Sequence, residues 1–185
     1  MDRTSRTQDE WLALRCQWGE AGAFEDLVAG MERPLLYYAA KLTGNVEAAL
    51  DVLQEVWIRA FRGIGRLKDP ASLRPWLYRI THGVAVDRLR RDSFRERAEE
   101  VHLAASQESA DPSFAQEDSA ALHQALNEVG LKHREVLVLH FLEDFSLAEI
   151  AGIVGCSEGT VKSRIHYAKI ALKETLLRGG YGTQR

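Results

Sequence analysis

Cysteine is almost absent from this chain, and the two that occur cannot build a framework. Cys16 and Cys156 lie near opposite ends and neither belongs to a C-x-x-C pair. They read as reduced core thiols, which excludes a disulfide scaffold and a cysteine metal site. No run of 18 apolar residues is present, so no segment qualifies as a membrane-spanning helix, and the polar N-terminus lacks signal-peptide character. The expected location is the cytoplasm. The motifs G-x-x-x-x-G-K-[ST] and H-E-x-x-H are missing, and nothing points to an enzyme. His133 and His140 sit seven apart, yet no cysteine or carboxylate set completes a ligand shell around them. No metal or other cofactor is expected. β-Branched alternation is missing too, whereas helical periodicity with glycine and proline punctuation runs almost throughout. The fold class expected is all-α.

A positive net charge is also lacking, the total being −3. Resolved by segment, the charge is far from uniform. Residues 59–97 carry 11 Lys/Arg against 4 Asp/Glu, a local +7, and residues 98–128 carry no Lys/Arg and 7 Asp/Glu, a local −7. The asymmetry is the informative quantity, and a basic stretch of this kind suits a nucleic-acid partner.

What the chain does contain is clearest in SLAEIAGIVGCSEGTVKSRIHYAKIAL, residues 146–172. Ser146 and Glu149 form an S-x-x-E capping box. Leu147, Ile150, Ala151 and Val154 then repeat on one helical face, and Gly155 can adopt positive φ to end the helix. Ser157 is a second N-cap candidate. Val161, Ile165, Ala168 and Leu172 give a longer second helix an apolar face. Its other side carries Lys162, Ser163, His166, Tyr167 and Lys169, with no acidic residue between Glu158 and Glu174. That is a helix-turn-helix whose second helix suits a major groove.

Helices are expected at about 8–18, 21–43, 46–63, 75–91, 113–129, 132–142, 146–154 and 158–177. Pro75 suits the first position of the fourth, and Asp111-Pro112 suits the cap and first position of the fifth. On the third helix Leu53, Val56, Trp57, Ala60, Phe61 and Ile64 form an apolar stripe. Asp51, Gln54, Glu55, Ile58 and Arg62 gather opposite, a solvated face with one Ile or a partner surface. The fourth helix ends in Asp87-Arg88-Leu89-Arg90-Arg91, arginines that suit either the helix dipole or phosphate. Gly83 in its middle invites a close approach to the backbone. The stretch AEEVHLAASQESAD, residues 98–111, reads as a flexible acidic linker. Two small helical domains joined by that linker follow.

Five segments in order carry a resemblance: GEAGAFEDLV (19–28), AALDVLQEVWIRAFRGI (48–64), RPWLYRITHGVAVDRLRR (74–91), REVLVLHFLEDFSLAEIAGIVG (134–155) and SEGTVKSRIHYAKIALKETL (157–176). The chain resembles an extracytoplasmic-function (group 4) sigma factor of the sigma-70 family. The resemblance implies sigma region 2 at 1–97, a linker at 98–111, and region 4, the helix-turn-helix, at 112–185. It implies that Asp51, Gln54, Glu55 and Ile58 grip the β′ clamp coiled coil of core RNA polymerase. Arg74, Arg79, His82, Arg88 and Arg91 would face the −10 DNA, and Lys162, Ser163, Arg164, His166 and Tyr167 the −35 element. Within that set Arg164 lies further round the helix and suits a phosphate. The β flap, promoter DNA and an anti-sigma factor are the other implied partners, without membrane insertion. The chain departs from the family pattern at Thr81-His82-Gly83, where Ala-Arg-Asn is usual, at Val129-Gly130 in place of Leu-Pro, and at Tyr167 in place of Arg.

Two other classes remain open on sequence. A stand-alone helix-turn-helix regulator would bind duplex DNA tightly without polymerase. An all-helical interaction module would bind no DNA at all.

Overall fold

The computed structural model describes residues 3–99 and 117–178, and every regular element among them is helical. The chain divides into two compact units, Met1–Gln107 and Glu108–Arg185.

The first unit contains α1 (Arg3–Gln17), α2 (Ala23–Thr43), α3 (Val46–Gly63) and α4 (Leu73–Glu99). Gly44 has φ 71°, and its N–H donates to the Ala40 carbonyl to close α2. Asn45 then starts α3, its side chain accepting from Glu47 N at 2.7 Å and Ala48 N at 3.2 Å. Leu27, Leu35 and Tyr38 from α2, Val52 and Val56 from α3, and Leu73, Leu77 and Tyr78 from α4 are fully buried together. Between α3 and α4 the chain makes two short 3-10 turns, Ile64–Arg66 and Pro70–Ser72. The Gln17 side chain ties the end of α1 to the first of these, donating to the Ile64 and Leu67 carbonyls at 3.1 and 2.7 Å. A Cβ at Gly63 would come within 3.1 Å of the Trp76 ring, so glycine there lets α4 pack on the end of α3.

Several sequence expectations need correcting here. The fourth helix starts at Leu73, which makes Pro75 its third residue; Pro70, behind the Asp69 cap, takes the first-position role in the preceding turn. The cost is nil, because first-turn N–H groups have no intrahelical partner. At its other end α4 runs on to Glu99, so Ala98 and Glu99 belong to the helix and not to the linker. Nothing between Arg91 and Glu99 is a glycine or proline that would stop it. The remainder of the linker and the Asp111-Pro112 start lie outside the described residues. Phe61 is 67% exposed, and Val52 and Ala49 occupy the buried stripe with Val56 and Ala60. Five residues past Val56, Phe61 points about 140° away; the Phe24 ring meets it edge-on at 5.1 Å. Both cysteines are free but half-buried, not in the core. Burial pushes the Cys16 thiol up.

The second unit contains α5 (Glu117–Glu128), α6 (Leu131–Leu137) running into a single π-helical turn at Val138–Leu142, α7 (Leu147–Val154) and α8 (Glu158–Arg178). The capping box forms as expected, with Ser146 N donating to Glu149 Oε2 at 2.8 Å and Glu149 N to Ser146 Oγ at 3.3 Å. Gly155 ends α7 at φ 68°. Ser157 Oγ accepts from Thr160 N at 3.2 Å and begins α8. Ile150 and Ile153 are the buried residues of α7, and Val161, Ile165 and Ala168 are those of α8 within the expected stripe. Ile153 is an addition to the expected face, while Leu147, Ala151 and Val154 sit half-buried at its edges.

Ser146→Ala and Gly155→Ala should each destabilise the second unit by about 1 kcal/mol, the first by removing a cap and the second by forcing a Cβ into left-handed backbone. Urea melting of the full chain measures both. An unchanged midpoint in Ser146→Ala would mean the cap carries no stability.

Candidate functional site

Three surfaces gather the residues singled out by sequence. The first is a face of α3, where Asp51, Gln54, Glu55 and Ile58 follow each other at i, i+3, i+4 and i+7. Asp51, Gln54 and Ile58 are exposed and Glu55 partly so. Neither acid is unpaired. Asp51 Oδ2 lies 2.8 Å from Arg88 Nη1 on α4, and Glu55 Oε1 accepts from Arg59 Nε at 2.7 Å. Exposed pairs of this kind contribute roughly 0–1 kcal/mol, so a partner's cations can displace them cheaply. A groove of about 720 Å³ between α3 and α4 is lined by Asp51, Glu55, Arg59, Arg88, Arg91 and Phe94. Arg59 and Phe94 were not anticipated. Phe94, 71% exposed, could have been noticed as a lone aromatic in the charged run Arg90–Arg97.

The second surface is α4 and the turns before it. Arg79 and Arg91 are exposed, Arg74 and His82 half-buried. These residues and Arg88 do not share one face. Arg88 is nine residues beyond Arg79, about half a turn away in angle, and it bridges Asp51 and Asp92. Arg90, exposed and nearly in line with Arg79, joins that face instead. Arg74 lies beside α1, where burial raises the Asp9 carboxyl above its usual range and the Arg74 charge pulls it back. A Cβ at Gly83 would meet nothing within 4 Å, so no packing within the unit calls for glycine there.

The third surface is the outer face of α8. Lys162, Ser163, His166 and Tyr167 are all exposed, and the His166 and Tyr167 rings meet edge-on at 5.3 Å. Ser163 Oγ donates to the Gly159 carbonyl at 3.1 Å. Arg164 departs from the expectation. It turns inward, and its Nη1 donates at 2.9 Å to Oε1 of the buried Glu135 on α6. Its position on the border of the apolar stripe lets the long side chain cross to the neighbouring helix. Lys169 also leaves the outer face, its Nζ lying 5.0 Å above the Phe141 ring. Beside it an apolar groove of about 550 Å³ runs along Leu126, Leu137, Phe141, Leu172 and Leu176.

Gly155-Cys156-Ser157-Glu158-Gly159 spells G-x-S-x-G, the letters of a hydrolase nucleophile elbow. That elbow needs a strand-to-helix turn. Here Ser157 is a helix cap between two helices, its Oγ 2.9 Å from Thr160 Oγ1. His140 Nδ1 lies 3.1 Å from the Phe145 carbonyl oxygen, an ordinary structural contact. Among the described residues no group of three or more His, Cys, Asp or Glu could hold a metal ion, and no helix is long and apolar enough to cross a membrane.

The surfaces coincide with known sequence families. Residues 27–95 match sigma-70 region 2, and residues 119–172 match sigma-70 region 4. The ECF RNA polymerase sigma factor SigL of Mycobacterium tuberculosis is 35% identical over 144 residues, covering 75% of this chain and 80% of that protein. The RNA polymerase sigma-H factor of Pseudomonas aeruginosa is 30% identical over 93% of this chain and 95% of its own length. ECF sigma factor SigW of Bacillus subtilis is 31% identical over 85% and 91%. In structure, the chain is similar to CnrH, solved with the cytosolic domain of CnrY, at a TM-score of 0.64 and 26% identity over 91% of this chain and 96% of that one. The sigma factor RpoE of Bartonella quintana, solved with the anti-sigma factor NepR, shares the fold at a TM-score of 0.74 and 23% identity, over 84% and 98%.

Proposed function

The chain belongs to the sigma-70 family as an extracytoplasmic-function sigma factor, a subunit that gives core RNA polymerase its promoter specificity, and we propose how its surfaces divide that work. The first unit, region 2 with bounds near 1–97, holds the β′ clamp coiled coil on the Asp51–Gln54–Glu55–Ile58 face. Basic groups of the clamp replace Arg88 and Arg59 on the two carboxylates. Arg74, Arg79, His82 and Arg91 then face the opened −10 strand, joined by Arg88 once Asp51 has exchanged partners. The second unit, region 4 near 112–185, presents Lys162, Ser163, His166 and Tyr167 to the −35 major groove. Its apolar groove beside Phe141 takes the β flap. An anti-sigma factor would block the chain by covering the α3 face. The protein works in the cytoplasm with polymerase and catalyses nothing itself.

The observation that carries this reading is the presence, on one chain, of an acid–amide–Ile face on α3 and a capped helix-turn-helix with a cation- and hydroxyl-bearing outer face. A stand-alone regulator has no use for the first of these. Reading two promoter elements at once requires a scaffold that fixes the distance between the units. The isolated chain should therefore bind promoter duplex weakly, and selectively only with core enzyme. Equilibrium titration at low and moderate salt, with and without core, tests this. Nanomolar, sequence-selective duplex binding by the protein alone would overturn it in favour of a stand-alone regulator.

A further inference from the structure

We propose that Arg164 is a positioning residue, which through Glu135 sets the roll of α8 and so decides which side chains enter the DNA groove. The proposal rests on the −35 reading above. Glu135 is the only acid of α6, and its side chain is 7% exposed against 22% for Arg164. A carboxylate this deep is costly to desolvate, and a guanidinium that reaches it restores much of that cost only in a narrow geometry. The apolar contacts of α8 are far less directional. Val161, Ile165, Ala168 and Thr175 form its buried stripe, a ridge of short and branched side chains whose one hydroxyl donates within α8 itself, to the Ala171 carbonyl, and a small rotation would disturb it little.

The outer face is sensitive to such a rotation. A roll of about 30° moves an atom about 6 Å from the helix axis by about 3 Å, which exceeds the tolerance of a hydrogen bond. Ser163, His166 and Tyr167 flank Arg164 within three positions and would move as a body. The other end of the ion pair is itself held. Arg134, next to Glu135, donates from Nη2 to the Asn127 and Val129 carbonyls at 2.6 and 3.2 Å, closing the end of α5. Helix α6 thus grips α5 through one residue and α8 through the next.

A phosphate-contacting Arg164 predicts something different, and Glu135 separates the two because it is buried and cannot touch DNA. The test uses the full-length chain in holoenzyme, with Glu135→Gln, Arg164→Lys and the apolar pair Glu135→Leu/Arg164→Met. For each, melting temperature, core affinity and relative activity on promoters varied one base at a time in the −35 element are measured. Buried ion pairs are often replaced by apolar residues of similar size without loss of stability. The double variant is therefore expected to melt and bind core as wild type does, yet to lose −35 discrimination at least tenfold. Glu135→Gln should lose it in the same direction, and Arg164→Lys should fail to restore it. Discrimination intact in both Glu135→Gln and Arg164→Lys, with a uniform loss across promoters and a salt slope reduced by about one only where Arg164→Met removes the charge, would overturn the proposal and assign Arg164 to a phosphate. If the double variant does not fold, Glu135→Gln against Arg164→Lys still decides. A wild-type protein indifferent to −35 sequence would instead sink the −35 reading itself.

Discussion

Glu55→Arg should abolish assembly with core polymerase while leaving the free protein folded. The glutamate lies on the exposed side of α3, its side chain 44% accessible and paired with Arg59 one turn on. Losing an exposed pair contributes little to unfolding, roughly 0–1 kcal/mol. Placing arginine there also sets two cations at i, i+4, a repulsion of a few tenths of a kcal/mol. Helicity and melting should therefore change only slightly. The interface responds very differently. On the proposed α3 contact, a basic clamp helix would meet a guanidinium in place of a carboxylate, and like-charge juxtaposition costs several kcal/mol, on the order of a 100-fold or greater loss of affinity. Asp51→Arg should behave alike, with added repulsion from Arg88, which would lose its 2.8 Å partner. Glu32→Arg, exposed on α2, serves as the control and should assemble normally. Titration of core enzyme with each variant, beside circular dichroism melting, gives the comparison. Normal holoenzyme formation by Glu55→Arg would remove the α3 face from the polymerase contact.

The same face shows where sequence reasoning succeeds and where it stops. Every signal of the helix-turn-helix is local: the Ser146–Glu149 box, Gly155 at positive φ and the spacing of Val161, Ile165 and Ala168 span a few residues each. Such signals depend on backbone chemistry and periodicity, and they appear in the fold as expected. What escapes is pairing between elements. Arg88 meets Asp51 across 37 residues, and Arg164 meets Glu135 across 29. Periodicity names the face a residue occupies but not the helix that face meets. A partial clue exists in both cases. Arg88 extends the buried row Leu77, Thr81 and Ala85, while Arg164 borders the stripe of α8. A charged residue in line with buried apolar ones commonly reaches for a partner. The exposure of Phe61 was readable from its angle relative to Val56. The extra length of α4 was readable from the lack of a stop signal before Glu99.

Replacing Ser163 or His166 should change which −35 sequences the holoenzyme uses. Both side chains point outward from α8, three residues apart, with Lys162 and Tyr167 on either side of them. Together they span about 140° of the helix, the width of face that a major groove admits. The Ser163 hydroxyl already donates to the Gly159 carbonyl, so its oxygen remains as an acceptor for the amino group of adenine or cytosine. Ser163→Ala removes that acceptor and should flatten the preference at one position, by about 1–3 kcal/mol or roughly 5- to 150-fold. His166→Ala should flatten a neighbouring position, with some additional effect through Tyr167, whose ring it meets edge-on at 5.3 Å. Lys162→Ala adds a separate signature: if Lys162 meets phosphate, all promoters weaken together and the salt slope falls by about one. Transcription from a pool of promoters randomised at the −35 element, with the −10 element held constant, reads all three variants in one assay. An unchanged −35 preference in every variant would mean that another face of the second unit enters the groove.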